Sequence, residues 1–296
     1  MAWQPDPSWI PITGTHGPTT EGIWTHQGRI IKRIRPGESD WGREHVGYWR
    51  REAEVAANPW LVDGPGLRPV GFHLIEEDDL GVTIHSEMVL GPPPTNLQVA
   101  AALGRFALAE FTPAPWYCNS LLATRLNMVE RHGGWDGMSH TSIADLCADL
   151  WQRRERILEA IDRGPQGRLH GDPIPKNFLT PSGSDVITID WQCFGVGPVG
   201  LDLGYWALSA REDFEVLIDV FIGTHPERAS ISLAARTMLV YTAITKANQA
   251  LRQAVRTGMS LAAIQKHPSV APHLRALQRH LPQIERLLAD TQNLSP

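Results

Sequence analysis

Short apolar runs broken by turn residues fill the first ninety positions, and longer amphipathic stretches fill most of the remaining chain. Ser8 to Thr13 carries one apolar run, which Gly14-Thr15-His16-Gly17-Pro18-Thr19 interrupts. Thr20 to His26 and Arg29 to Arg35 are strand candidates joined by Gln27-Gly28, and a two-residue loop containing glycine predicts a hairpin. Arg43 to Ala57 is predicted as a helix, since Val46, Trp49, Ala53 and Ala56 fall on one stripe. Asn58-Pro59 ends it, because the residue before a proline disfavours helical backbone. Leu67 to Glu76 and Val82 to Val89 are further strands on either side of the acidic turn Glu77-Asp78-Asp79. Leu90-Gly91-Pro92-Pro93-Pro94-Thr95 is rigid punctuation, and beyond it the pattern turns helical. Helices are predicted at Leu97 to Phe111, Thr141 to Ile161, Leu201 to Leu208, Glu212 to Ile222, Ser232 to Thr257 and 269–291. Ser142, three residues before Asp145, suits the N-terminus of the second, and Gly164 and Gly258 lie past the ends of the second and fifth. Strands first, then a hinge, then helices predict an α+β chain of two lobes, residues 1–90 and 91–296.

Composition narrows the function. The 296 residues are 42% hydrophobic and 20% charged, as in an ordinary globular protein with a sizeable core. A net charge of -5 gives no reason to expect nucleic acid or an anionic membrane as partner. No apolar segment is long enough to span a bilayer, and the N-terminus lacks the pattern of a signal peptide. Cys118, Cys147 and Cys193 form neither a disulfide framework nor a metal motif, so a reducing cytoplasm is expected.

The chemistry concentrates in Arg168-Leu169-His170-Gly171-Asp172-Pro173-Ile174-Pro175-Lys176-Asn177-Phe178-Leu179, followed by Val186-Ile187-Thr188-Ile189-Asp190-Trp191. Two short apolar strands each end near a carboxylate, and an amide comes after the first. A few hard oxygen ligands, with waters and phosphates completing the sphere, suit Mg²⁺. Singly, Asp172 reads as a turn residue, Asn177 as a cap and Asp190 as a strand end; their conjunction points to phosphoryl transfer, which asks the protein mainly for charge neutralisation and a positioned hydroxyl. Upstream, Lys32 alone reads as a solvated strand edge. Glu52 lies about 40° from the apolar stripe of its predicted helix, so it is either a surface glutamate or the carboxylate turned inward to meet that lysine.

These residues resemble the aminoglycoside phosphotransferase and choline-kinase-like family of small-molecule kinases. His170-Gly171-Asp172 with Asn177 is similar to the family's HGDxxxxN loop, Ile189-Asp190-Trp191 to its metal-binding segment, and Gly197-Pro198 with Gly200-Leu201-Asp202-Leu203 to the family's next segment. The resemblance implies a bilobal protein-kinase-like fold, with a nucleotide-binding N-terminal lobe and a helical C-terminal lobe carrying the catalytic loop and acceptor pocket. It implies that Asp172 orients or deprotonates the acceptor hydroxyl and that Asn177 and Asp190 hold Mg²⁺. Lys32, paired with Glu52, would grip the phosphates of ATP, and the backbone from Glu87 to Val89 would meet the adenine. The sequence departs from protein kinases at Gly171, where they carry an arginine, and at Ile174, where they carry a lysine. The loop from Gly14 to Thr19 is not GxGxxG and reads equally as a phosphate cradle or a plain turn.

The expected activity is ATP- and Mg²⁺-dependent transfer of the γ-phosphate to a hydroxyl of a small molecule, in a monomer or homodimer. The alternatives are a catalytically silent nucleotide-binding protein of the same fold and a metal-dependent phosphohydrolase, which would need further ligands. Residues 228–284 contain no Asp or Glu but include Arg228, Arg236, Lys246, Arg252, Arg256, Lys266, Arg275 and Arg279. That balance disfavours a strongly cationic acceptor on Coulomb grounds. Several of the 11 tryptophans are candidates for a sugar-stacking pocket or, more simply, for core packing.

Overall fold

The computed structural model describes residues 3–14, 17–39, 41–256 and 261–292. The chain is α+β and divides into two compact units, Met1–Leu121 with Gly167–Val196, and Leu122–Gln166 with Gly197–Pro296. Compactness thus cuts the chain elsewhere than the change of pattern near residue 90, because 167–196 return to join the first unit.

The first unit is built on a five-stranded antiparallel sheet. Its members are β1 (Ile10–Pro11), β2 (Thr20–His26), β3 (Arg29–Ile34), β5 (Phe72–Asp78) and β6 (Gly81–Glu87), in the order β1-β2-β3-β6-β5. The β2–β3 hairpin turns through Gln27 and Gly28 at φ 47° and 75°, the two positive values that a tight hairpin loop requires. Register sets the two faces. Ile23, Lys32 and Ile84 are cross-strand partners on one, and Trp24, Ile31 and His85 on the other. The Lys32 face packs Ile34, Val82 and Ile84 against Ala53 and Ala56 of α1 (Arg51–Ala57). On the opposite face the indoles of Trp3, Trp9 and Trp24 cluster with centroids 5.6 to 6.3 Å apart. Arg33 lies under them, 4.7 Å from the Trp3 ring and bonded to Asp78 at 2.6 Å.

Three expectations are corrected here. Helix α1 starts at Arg51, not Arg43. Residues 43–46 wrap instead around the Arg51 guanidinium, which takes the carbonyls of Arg43, His45 and Val46, so those carbonyls have a partner other than a helical ladder. The strand expected from Leu67 to Glu76 is two. β4 (Leu67–Pro69) ends on a proline, which has no N–H to donate, and pairs in parallel with β9 (Asp185–Thr188). β5 then joins the main sheet. β8 (Phe178–Ser182) completes a three-stranded sheet in the order β4-β9-β8, which is how the segment carrying Asp172 and Asp190 becomes part of this unit. Helix α2 (Asn96–Leu108) opens with a capping box between Thr95 and Gln98 and ends where Ala109 turns extended, ahead of the expected Phe111.

The second unit is helical: α3 (Leu121–Arg131), α4 (Ala144–Gln152), α5 (Arg154–Asp162), α6 (Leu201–Trp206), α7 (Phe214–Ile222), α8 (Arg228–Val255), α9 (Leu261–Lys266), α10 (Ala271–Arg279) and α11 (Leu281–Thr291). Helix α8 runs through its middle and buries Ile231, Leu239, Val240 and Ile244 completely. The helix expected over 141–161 is two, broken at Arg153, and Ile143 rather than Ser142 stands at its start. The expected cap at Gly258 lies outside the described residues. Among the described residues no helix is long and apolar enough to cross a membrane.

Candidate active site

Strand β7 (Gln166–Leu169) delivers His170, Gly171 and Asp172 to the first unit's site. His170 is fully buried and ties two segments together. Its Nε2 is 3.0 Å from the carbonyl of Ile189, its Nδ1 accepts the N–H of Asp172 at 3.3 Å, and its ring packs 4.7 Å from Trp191. Gly171 has φ 82°, and a Cβ there would sit 2.2 Å from the carbonyl oxygen of Cys193. No side chain fits, so the arginine of protein kinases is excluded by backbone packing as well as by conformation. Asp172 is half-buried; Asn177 donates its amide to the Asp172 carbonyl at 2.9 Å and to Oδ2 at 3.3 Å. Asn177 is in turn fixed by its backbone, donating to Ile174 and accepting from Ile189. With its NH₂ group engaged, the amide keeps an oxygen free to act as a hard ligand.

Asp190 follows β9 in a left-handed conformation, φ 66° and ψ 59°. That backbone is uncommon outside glycine, though aspartate and asparagine tolerate it best. Its Oδ1 is 3.0 Å from Lys32 Nζ, and the same ammonium is 2.5 Å from Glu52 Oε2. Lys32, Glu52 and Asp190 are therefore one ion-pair cluster of a cation and two carboxylates, and Glu52 is the inward-turned residue rather than a surface one.

Burial opposes charge on all three. It would lower the Lys32 ammonium, but Glu52 and then Asp190 outweigh it and hold the pKa above the ordinary lysine value. Burial also pushes Asp190 up, and the adjacent ammonium overrides it, leaving the carboxylate below its usual range. Glu52 is the more enclosed of the two, with 10% side-chain exposure against 17%. There burial wins, so its pKa rises despite Lys32, and the Asp190 charge adds to the rise.

A residue that the sequence did not single out holds this arrangement in place. Arg51, completely buried at the start of α1, donates to five carbonyls: Trp116, Gln192, Val46, Arg43 and His45. All five N–H groups of a guanidinium are thereby used. Because Gln192 lies just beyond Asp190 and Arg51 precedes Glu52, one side chain pins the helix bearing the glutamate to the loop bearing the aspartate. Arg168 does similar work below the loop, stacking 4.2 Å from Phe106 and donating to the carbonyls of Phe106, Leu61 and Gly64.

At the end of β6 the N–H groups of Glu87 and Met88 donate to Gly71 and Gly28. Among the described residues Val89 N–H has no such partner. The exposed Glu87 carboxylate accepts from Gly71 N–H. Of the expected phosphate loop, Thr15 and His16 lie outside the described residues; Gly17 lies beside the Gln192 side chain. Among the described residues no group of three or more His, Cys, Asp or Glu is arranged to hold a metal. Asn177 and Asp190 offer hard oxygen donors of the kind that suits a divalent ion which keeps most of its water and phosphate ligands.

The model of the phosphotransferase enzyme family (APH) matches residues 97–233, a span that includes Asp172, Asn177 and Asp190. This is the family that the sequence resembles. Among curated proteins none matches. Solved structures share the architecture across nearly the whole chain. A choline/ethanolamine kinase family protein from Mesorhizobium loti is 14% identical with a TM-score of 0.56, covering 92% of each chain. The GDP complex of wild-type aminoglycoside 2'-phosphotransferase-IIIa is 13% identical with a TM-score of 0.57, covering 94% of this chain and 93% of that one. Spectinomycin phosphotransferase APH(9)-Ia, in complex with ADP and spectinomycin, is 12% identical with a TM-score of 0.53, covering 96% and 93%. The fold is accordingly the protein-kinase-like α+β fold that these phosphotransferases and kinases share.

Proposed function

We propose that the chain is an ATP- and Mg²⁺-dependent phosphotransferase that moves the γ-phosphate to a hydroxyl of a small molecule. The observation that carries this reading is the convergence, within one compact unit, of Lys32 on Glu52 and Asp190 and of Asn177 on Asp172. Asp172 is the one carboxylate of the set held by an amide rather than an ammonium, which suits it to accept or orient a hydroxyl proton. Lys32 is the cation available to the phosphates, with Glu52 keeping it placed when Asp190 turns to other partners. Asn177 and Asp190 would hold Mg²⁺, which when bound neutralises phosphate charge. Val89 N–H and the neighbouring carbonyls would receive the adenine, so that residues 1–90 bind nucleotide and 91–296 supply the catalytic loop and acceptor site. Three buried cysteines, none of them in a disulfide, support a reducing cytoplasm.

MgATP is expected to raise the melting temperature through linkage of binding to folding, and Asp190→Ala to lose most of that rise. Asp172→Asn is expected to keep the rise and lose transfer in a γ-labelled ATP screen against sugars, amino alcohols, nucleosides and antibiotics. No stabilisation of the wild type at millimolar MgATP would remove the reading. Ile174, where kinases place a cation, favours a second reading of nucleotide binding without turnover; it would show as stabilisation with no labelled product from any acceptor and no hydrolysis.

A further inference from the structure

The turn from Asp172 to Asn177 is closed on itself. Ile174 N–H donates to the Asp172 carbonyl, Asn177 N–H donates to the Ile174 carbonyl, and the Asn177 amide returns to the Asp172 carbonyl at 2.9 Å. A single helical turn over Pro175–Asn177 sets Lys176 directly before the buried Asn177. The Asn177 carbonyl accepts from Ile189 N–H at 3.0 Å, and Asp190 comes next after Ile189. Lys176 and Asp190 are thus the immediate chain neighbours of the two residues that this bond joins. The Lys176 side chain is exposed and makes no hydrogen bond or ion pair among the described residues. Its charge nevertheless reaches Asp190: burial raises that carboxyl, Lys32 overrides burial, and His170 and then Lys176 add to the lowering. Phosphoryl transfer brings a strongly anionic group to a place already bordered by the carboxylates of Asp172 and Asp190, and it is carried mainly by charges aimed at the transferring group. Lys32 is held between Glu52 and Asp190 at 2.5 and 3.0 Å. Arg51 and Arg168 are committed to backbone carbonyls. Ile174, where protein kinases carry a lysine, has no charge to give. The ammonium of Lys176, on a flexible four-carbon stem, is the cation that the turn itself offers.

On the phosphotransferase reading, on which this assignment rests, we propose that Lys176 is a catalytic residue that contacts the γ-phosphate and stabilises it as it moves from ATP to the acceptor. The bond from the γ-phosphorus to the bridging oxygen breaks, its electron pair leaving with ADP, and a bond to the acceptor oxygen forms. The hydroxyl proton passes to Asp172. Lys176 keeps its own proton throughout and gives positive charge to the oxygens of the transferring group from the catalytic turn, while Lys32 acts from the sheet. The contact exists in the ATP complex, is absent with ADP, and is strongest in the transition state, where it accelerates the reaction.

The test compares the full chain as wild type, Lys176→Gln and Lys176→Arg by calorimetry with MgATP and with MgADP, in the absence of acceptor. In Lys176→Gln the affinity for ATP is expected to fall about tenfold, the effect of one hydrogen bond to a charged group, with the affinity for ADP unchanged. Lys176→Arg is expected to keep the wild-type difference between the two nucleotides. Because the side chain is exposed, the melting temperature without nucleotide should be the same in all three, which separates a lost contact from lost folding. With an acceptor found in the γ-labelled ATP screen, kcat is expected to fall about 10²-fold in Lys176→Gln, with the acceptor KM near its wild-type value. A wild type that binds neither nucleotide removes the phosphotransferase reading and this assignment together. ATP and ADP weakened alike, neither weakened, or kcat retained in Lys176→Gln would overturn this assignment alone, since nucleotide binding by the wild type would still stand.

Discussion

Replacing Arg51 by methionine tests whether one guanidinium organises the nucleotide side of the site. The substitution keeps most of the buried volume and removes five donors at once from the carbonyls of Arg43, His45, Val46, Trp116 and Gln192. The three carbonyls of the 43–46 turn can rotate towards solvent, since Arg43 is exposed and His45 and Val46 are half-buried. That of Trp116 lies deeper, and a buried acceptor left without a donor costs about 1–3 kcal/mol. Losing it outright, with partial loss at the four less buried acceptors, gives an expected destabilisation of about 2–4 kcal/mol. Removing a buried charge offsets part of it, and burial already holds Arg51 below the ordinary arginine pKa. Arg51→Lys keeps the charge but offers only an ammonium's point donors, so it should recover less than half. Urea unfolding followed by tryptophan fluorescence gives the stability change, and titration with MgATP gives the effect on the cluster of Lys32, Glu52 and Asp190. The nucleotide response should weaken in both variants while Arg50→Met, on the exposed side of the same turn, leaves it unchanged. A methionine variant within about 1 kcal/mol of the wild type, with normal nucleotide response, would refute the idea that Arg51 joins the two elements.

Gly171→Ala forces a Cβ to 2.2 Å from the Cys193 carbonyl at φ 82° and is expected to cost about 2–4 kcal/mol, read as a lower urea midpoint together with lost phosphoryl transfer. Lys32→Met leaves Glu52 and Asp190 facing each other without their cation and should cost about 3–5 kcal/mol. Adding Glu52→Gln should restore part of the loss, so a double-mutant cycle with no coupling would rule out the ion-pair cluster. His280 accepts from Arg279 at 3.2 Å through Nε2, and burial, then the Arg279 charge, lowers its pKa from 6.5 to about 4. Its contribution is full above pH 6.5 and is lost as pH falls from there through 4, up to about 3 kcal/mol. His280→Gln should flatten that part of the stability profile, and an unchanged acid limb would refute the assignment.

What was legible in the sequence was local or carried by a dense motif. The β2–β3 hairpin could be placed because Gln27-Gly28 dictates a two-residue turn, and its strands pair antiparallel with Ile23 opposite Lys32. Helical spacing left Glu52 open between a surface and an inward position, and its pairing with Lys32 decides for the inward one, although the helix itself is half as long as predicted. The error and the omission share a cause. The periodicity of Val46 and Trp49 was real, but Arg51 captured the carbonyls a helix would have used, and nothing in the neighbouring residues announces a side chain with five acceptors. The split of Leu67 to Glu76 comes from the pairing of β4 with β9, a contact between residues more than a hundred positions apart. Helix α3 was overlooked although Leu122, Leu126 and Val129 stand at helical spacing, because Arg125 and Asn127 dilute the run.

The indoles of Trp3, Trp9 and Trp24 have a consequence for how the amino-terminal residues should be handled. They form a back wall to the sheet whose front carries Lys32, and Arg33, the next residue on the same strand, is clamped between Trp3 and Asp78. Trimming the first ten residues, as one would trim a dispensable tail, removes two of the three rings and opens one flank of a strand whose other flank positions the ammonium. A protease cut or a bulky tag at that end would therefore be felt as a loosening of β3, and the change in indole emission would report it before any assay of turnover.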